Sequence, residues 1–315
     1  MMKKAIAVDF GGTSIKMGVT RGADILVKAA PLPTAVYDSP KAIIEAMCHT
    51  ARELLQQHPD CAAVGLGMPG WTDFHRGVLY QLTNVPVWDH EVPVRDIMQQ
   101  ALSLPVVLDN DANCMAYAEW QLGAGRGLES LVCLTLGTGI GGGMVIHNRM
   151  LRGLTVSAAE LGQTSIDWRG RRGPFGNRGA IEEYLGNNEF ATDSARAYTA
   201  AGQPRSAAEC TPYQLAQAAR NGCPIARGLY AGFAEKLACL IMNLMYALVP
   251  EGIIIGGGVA KAGDLLFTPL QEQLREQLFP VHYAALRLLP AHFGADSGLV
   301  GAGLMAADYA TGKLN

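Results

Sequence analysis

The chain has 315 residues, 49% of them hydrophobic and 17% charged, with a formal net charge of −3. That is enough apolar length for a sizeable core, with room for two domains, and it excludes a disordered chain. The slightly acidic balance argues against a nucleic-acid surface, no run of eighteen apolar residues predicts a membrane span, and the opening MMKKAIAVDFGGT lacks the features of a signal peptide, so a cytoplasmic protein is expected.

In chain order, KKAIAVDFGGTSIKMGVTRGADILVKAAPLP reads as an antiparallel strand meander with a glycine turn. SPKAIIEAMCHTARELLQQHP places Ile43, Ile44, Met47, Ala51, Leu54 and Leu55 at helical spacing, with Ser39 as N-cap and Pro40 at the first helical position. CAAVGLGMPG reads as a buried strand, VPVRDIMQQAL as a helix, PVVLDN as a strand, and DANCMAYAEWQLG as a helix ending at Gly123. Strand and helix therefore alternate, which indicates an α/β layer structure.

The opening layout then recurs. SLVCLTLGTGIGGGMVIHNRMLRG is again strand, glycine-rich turn and strand, so the fold is expected to be duplicated. The expected boundary separates an N-terminal domain, 1–122, from a larger C-terminal domain, 123–315, whose last helix packs back on the first. Residues 181–249 read as mostly helical; GIIIGGGVAKAG as strand, turn and helix start; PLQEQLREQL as a helix; ALRLLPAHF as a strand; and SGLVGAGLMAADYA as a closing helix. The seven cysteines form no CxxC or CxC pair, which predicts buried thiols and neither a disulfide framework nor a Cys-rich zinc site.

Two features carry chemistry. The first is glycine after strands. DFGGTSIK and LGTGIGGG let backbone amides and the hydroxyls of Thr13, Ser14 and Thr138 face phosphate oxygens, and IIIGGG lets a flat ring lie on bare backbone. None fits a P-loop or a dinucleotide fingerprint. Asp9, just before the first glycine pair, either caps a turn or serves Mg²⁺ through water. The second feature is LDNDAN. A helix needs one Asn or Asp as its cap, yet Asp109, Asn110, Asp111 and Asn113 are all present. The surplus predicts a proton acceptor and hydrogen-bond donors for hydroxyls.

In order, AVDFGGTSIKMGV, GMPG, NVPVW, LDNDANCMAYAE, LGTGIGGGMV, AAELGQ, GNRGAIEE and IIIGGGV make the chain resemble the ROK (repressor, open reading frame, kinase) sugar kinases from Ala5 to about Gly303. The resemblance implies the duplicated ribonuclease-H-like fold of the actin/hexokinase type, with two domains around a cleft. It implies phosphoryl transfer from ATP, with Mg²⁺, to a hexose, at the 6-hydroxyl. Asp111 matches the base. Gly70, Asn84, Asn110, Glu160 and Glu182 match sugar contacts. Gly11, Gly12, Thr13, Lys16, Thr138 and Gly139 match the phosphate side, Gly257 and Gly258 lie near the adenosine, and Asp9 is the metal-side carboxylate. A homodimer is implied as well.

The family's zinc motif is replaced. Its histidine position is Gln163, still able to bind sugar as an amide, and its three cysteine positions are Gly173, Phe175 and Ala180. No structural zinc is expected, and the loop must be held by packing, with Phe175 and the arginines around 169–178 as candidates. Those arginines read as a solvated loop, or alternatively as an anion contact. The seven histidines fit no ligand spacing. The rival readings are a sugar-responsive regulator, a binding protein that has lost catalysis, and a kinase using another donor such as polyphosphate. The chain starts at the first strand with no helix-turn-helix before it, so no nucleic-acid partner is expected.

Overall fold

The computed structural model describes residues 2–82, 85–156 and 159–314. Its first sheet opens with β1 (Lys4–Phe10), β2 (Ser14–Arg21) and β3 (Asp24–Lys28), the expected meander, and the short β4 (Leu32–Pro33) pairs with the start of β2. Next come α1 (Pro40–Gln57), β5 (Cys61–Met68), the small ribbon of β6 (Thr72–Asp73) and β7 (Val78–Leu79), α2 (Val94–Leu102) and β8 (Val106–Asn110). The strand order is β3-β2-β1-β5-β8, with β1, β5 and β8 parallel. Ser39 caps α1, its hydroxyl accepting from the Ala42 amide at 3.3 Å, and Pro40 stands at the first turn. The two-residue period of β1 sends Ile6, Val8 and Phe10 into a core shared with α1, while Ala5 and Ala7 face the opposite side.

Helix α3 (Asp111–Gln121) leads from the first half into the second, which starts with β9 (Leu131–Leu136), β10 (Ile140–Ile146) and β11 (Arg149–Met150). It continues through α4 (Glu182–Leu185), α5 (Asn187–Ala200), α6 (Pro212–Arg220), α7 (Pro224–Leu248), β12 (Gly252–Gly257), α8 (Asp264–Gln277), α9 (Pro280–Ala285), β13 (Arg287–Pro290) and α10 (Ser297–Tyr309). Its sheet runs β11-β10-β9-β12-β13. The run β10-β9-β12-β13 repeats β2-β1-β5-β8, one antiparallel pair followed by parallel strands, so the layout is duplicated. Helix α7 is long and apolar enough to cross a membrane by composition, but Phe233, Leu237, Ile241 and Leu244 are buried in this half's core.

Helices α3 and α10 pack on each other between the two sheets. Every residue of α3 from Ala112 to Glu119 is buried, which is why its sequence shows no polar face. Close approach is made by small residues: a Cβ on Gly65 would strike the Ala302 carbonyl, and one on Gly301 the Cys114 carbonyl. Two boundaries depart from the sequence reading. Helix α8 begins at Asp264, five residues before the expected Pro269, because Leu266, Leu270 and Leu274 bury one stripe that outweighs the single hydrogen bond Pro269 removes. The last strand is only Arg287–Pro290, Ala285 having been taken into α9. Five cysteines are buried as expected, while Cys223 and Cys239 are half-exposed; all seven are free thiols.

Candidate active site

The junction of β8 and α3 divides the four polar residues into two jobs. Asn110 is the N-cap: its Oδ1 accepts from the Ala112 amide at 2.9 Å, and its Nδ2 donates to the Gly70 carbonyl at 3.1 Å. Asp109 is 2% exposed and turns away from solvent. One of its oxygens accepts from the Asn110 amide and from Asn113 Nδ2, both at 2.8 Å; the other accepts from Arg152 Nε at 2.6 Å. Asn113 is fully buried. Asp109 and Asn113 are therefore structural, and Asp111 is the carboxylate that these contacts leave unused. Asp111 is half-buried, with Oδ1 accepting from the Ala112 amide at 2.9 Å. Burial pushes its carboxyl up to about 6; the charge of Asp9 adds to the rise, and backbone hydrogen bonds oppose it.

Arg152 was not found from sequence. It enters from the segment after β11, stacks its guanidinium 4.0 Å over the Phe74 ring, and ties the second half of the chain to Asp109 in the first. A lone arginine in LRG has no spacing that announces this role. Glu119 was also missed: its buried carboxylate accepts from the amides of His292, Phe293 and Ala124, joining α3 to the approach to α10.

On the sugar side of the sequence prediction, the structure brings Gly70, Asn110, Asp111, Glu160, Gln163 and Glu182 together. Glu160 reaches solvent, yet partial desolvation, followed by repulsion from Asp111 and Glu182, pushes its carboxyl up to about 7. Glu182 Oε2 accepts from the Ile140 amide at 2.8 Å and Oε1 from Gln163 Nε2 at 3.2 Å. Gly70 has φ +82°, a conformation that favours glycine. Asn84 lies outside the described residues.

The residues expected on the phosphate side occupy two turns. The Gly11 amide donates to the Ser14 carbonyl at 3.0 Å, and Thr34 supports the turn from behind through the carbonyls of Gly12 and Thr13. Gly12 and Thr13 are exposed. Lys16 Nζ pairs with Asp9 at 3.1 Å. In the second turn, the Gly137 amide donates to the Gly139 carbonyl at 3.0 Å, Thr138 is exposed, and a Cβ on Gly139 would collide with Glu182. The other glycines of LGTGIGGG have a different purpose from the one read in the sequence. A Cβ on Gly141 would crowd Ala112, and one on Gly143 would crowd Ala116, so both let α3 approach β10. Gly257 has φ +88° and lies against Leu136 at the end of β9; Gly258 has open space beside it. Among the described residues no three His, Cys, Asp or Glu side chains converge as a metal group.

The loop after Gln163 is a hairpin. Ser165 bridges Ala180 and Arg172 bridges Arg178. Arg171 pins it: the amide donates to the Tyr184 hydroxyl, and the guanidinium reaches the Glu183 carbonyl at 2.7 Å and Asp193 at 2.6 Å. At the tip, the Phe175 ring lies 5.2 Å from that of Trp71 in the first half of the chain. The loop thus closes against the segment that follows Gly70.

The profile of the ROK family matches residues 5–309. The glucokinase of Thermotoga maritima is 32% identical over 308 residues, spanning 95% of this chain and 96% of its own. The crystal structure of a ROK family glucokinase from Streptomyces griseus, in complex with glucose and AMPPNP, is 31% identical, with a TM-score of 0.83 over 96% of this chain and 99% of that one. The ROK hexokinase of Thermus thermophilus is 34% identical, with a TM-score of 0.82 over 98% and 99%. The duplicated sheets are those of the actin/hexokinase-type fold. Matched along nearly its whole length, the chain belongs to the ROK family and is a sugar phosphotransferase.

Proposed function

We propose that the chain is an ATP-dependent hexose kinase that phosphorylates the sugar 6-hydroxyl, with Asp111 as general base. The observation that carries this reading is the half-buried Asp111 carboxyl, raised to about 6, which shares its electrostatic surroundings with Asp9 on one side and Glu160 on the other. A base raised toward neutral pH takes a proton better than an ordinary carboxylate while remaining mostly ionised at pH 7. Glucose is the first choice of sugar, because relatives matched along the whole chain are glucokinases.

Asp111 accepts the proton of the 6-hydroxyl as that oxygen bonds to the γ-phosphorus in line. The bond from γ-phosphorus to the bridging oxygen breaks, and its electron pair stays with ADP. Asn110, Glu160, Gln163 and Glu182 hold the other hydroxyls. The turns at Gly11–Thr13 and Thr138–Gly139 hold the phosphates, and Gly257 and Gly258 leave room for the nucleoside. A single carboxylate, Asp9, fits Mg²⁺ that keeps most of its ligands as phosphate oxygens and water. Asp9 would hold Mg²⁺ there, which would supply charge to offset that of the phosphates. Lys16, paired with Asp9 in the free protein, is then available to the phosphates. Residues 1–122 and 123–315 form the two domains of this reading, with α10 against the first, and the homodimer rests on the family resemblance.

The test is product analysis. The protein with Mg-ATP should release ADP with glucose, mannose or another hexose from a panel that includes allose, fructose and N-acetylglucosamine, and NMR should identify the 6-phosphate. Polyphosphate in place of ATP should be a poor donor. No sugar-dependent ADP, or turnover with polyphosphate alone, contradicts the proposal.

A further inference from the structure

A line of hydrogen bonds fills the place of the missing zinc motif. Asn177 Nδ2 donates to the Gln163 carbonyl at 3.0 Å and to Gln163 Oε1 at 3.2 Å. Gln163 Nε2 donates to Glu182 Oε1 at 3.2 Å, and Glu182 Oε2 takes the Ile140 amide at 2.8 Å. Ile140 directly follows Gly139, so the line runs from the hairpin loop, through two sugar-side residues, to the second phosphate turn.

Asn177 sets the direction of this line. Its amide can be turned only one way: reversed, Oδ1 would face two acceptors of Gln163. In the orientation found, Oδ1 is buried with no hydrogen-bond partner among the described residues. The hairpin is shaped around this side chain. The Gly173 amide donates to the Asn177 carbonyl at 2.8 Å, and a Cβ on Gly173 would come within 2.6 Å of Asn177 Oδ1. With Gln163 Oε1 occupied by Asn177, Nε2 must point at Glu182. Without Asn177, Oε1 loses its donor and the Gln163 side chain is restrained by its bond to Glu182 alone, so both side chains gain freedom to move.

We propose that Asn177 is a positioning residue for sugar recognition: it aims the Gln163 amide and so holds Glu182 as a hydroxyl acceptor. This rests on the sugar-kinase reading for what Glu182 binds, but it concerns binding rather than transfer.

The experiment measures sugar affinity by calorimetry, and KM and kcat by ADP release, for Asn177→Ala, the isosteric Asn177→Asp, Gln163→Ala and the double variant Asn177→Ala/Gln163→Ala. Loss of a hydrogen bond of this kind predicts a roughly three- to tenfold weaker sugar Kd and KM for Asn177→Ala. Its kcat and its KM for ATP should stay within about twofold, and Asn177→Asp, which swaps donor for acceptor, should be weaker still. In the Gln163→Ala background, Asn177→Ala should add nothing. Unchanged sugar affinity in Asn177→Ala overturns the proposal. So does equal weakening of sugar and ATP, or a full multiplicative effect in the double variant. If the wild-type protein binds a sugar without transferring phosphate, the kinase reading fails while calorimetry still decides the role of Asn177. If it binds none of the panel sugars, both fall.

Discussion

Asp111 and Glu160 are the residues whose protonation the cleft controls. As the proposed base Asp111 must be ionised, and its carboxyl is raised to about 6, so kcat/KM should fall as the pH drops through about 6, with Glu160, near 7, coupled to the same titration. A profile flat down to pH 5 contradicts this. The sign for stability is opposite. Both groups bind protons more tightly folded than unfolded, so between about pH 4 and 7 their combined contribution to the ligand-free fold weakens as pH rises. At this scale the sequence was half legible. LDNDAN announced a surplus of polar groups, but only coordinates separate Asp109 and Asn113, tied to Arg152 and to each other, from Asp111 at the cleft. Asn177 and Arg152 gave no sign because their partners lie 14 and 43 residues away.

Elements with local determinants were legible. Ser39 and Pro40 fixed the start of α1, and the glycine turn at Gly11 and Gly12 marked the first hairpin of the meander. Elements whose form depends on a distant partner were not. The glycines of β10 resembled a ligand turn, yet two of them are there because α3 presses on the strand, and α8 starts early because its leucine stripe overrides Pro269. The joint between β8, α3 and the segment after β11 makes a testable demand. Arg152→Ala strands the buried Asp109 carboxylate and should destabilise the protein by about 3–5 kcal/mol in urea unfolding, whereas replacing both partners by apolar or neutral residues should recover most of that loss. A loss under about 1 kcal/mol in the single variant means the pair does not hold the joint.

At the scale of the molecule, duplication places the site. The strands β1, β5, β8, β9 and β12 run so that their C-terminal ends carry Gly11–Thr13, Gly70, Asn110 and Asp111, Gly137–Gly139, and Gly257 and Gly258 respectively. Ligands of α/β sheets gather at such strand ends. The recurrence of a strand–glycine–strand pattern made this visible in the sequence, but the contact of Phe175 with Trp71 across the two halves was not, since nothing in either segment names the other. Phosphoryl transfer at this end of the sheets is proposed to depend on one carboxylate, that of Asp111. This is tested most directly by Asp111→Asn, with sugar affinity measured by calorimetry and turnover by ADP release. The account predicts a sugar Kd within about threefold of wild type and a kcat reduced about 10²–10⁴-fold; a variant that turns over within tenfold of wild type would contradict it.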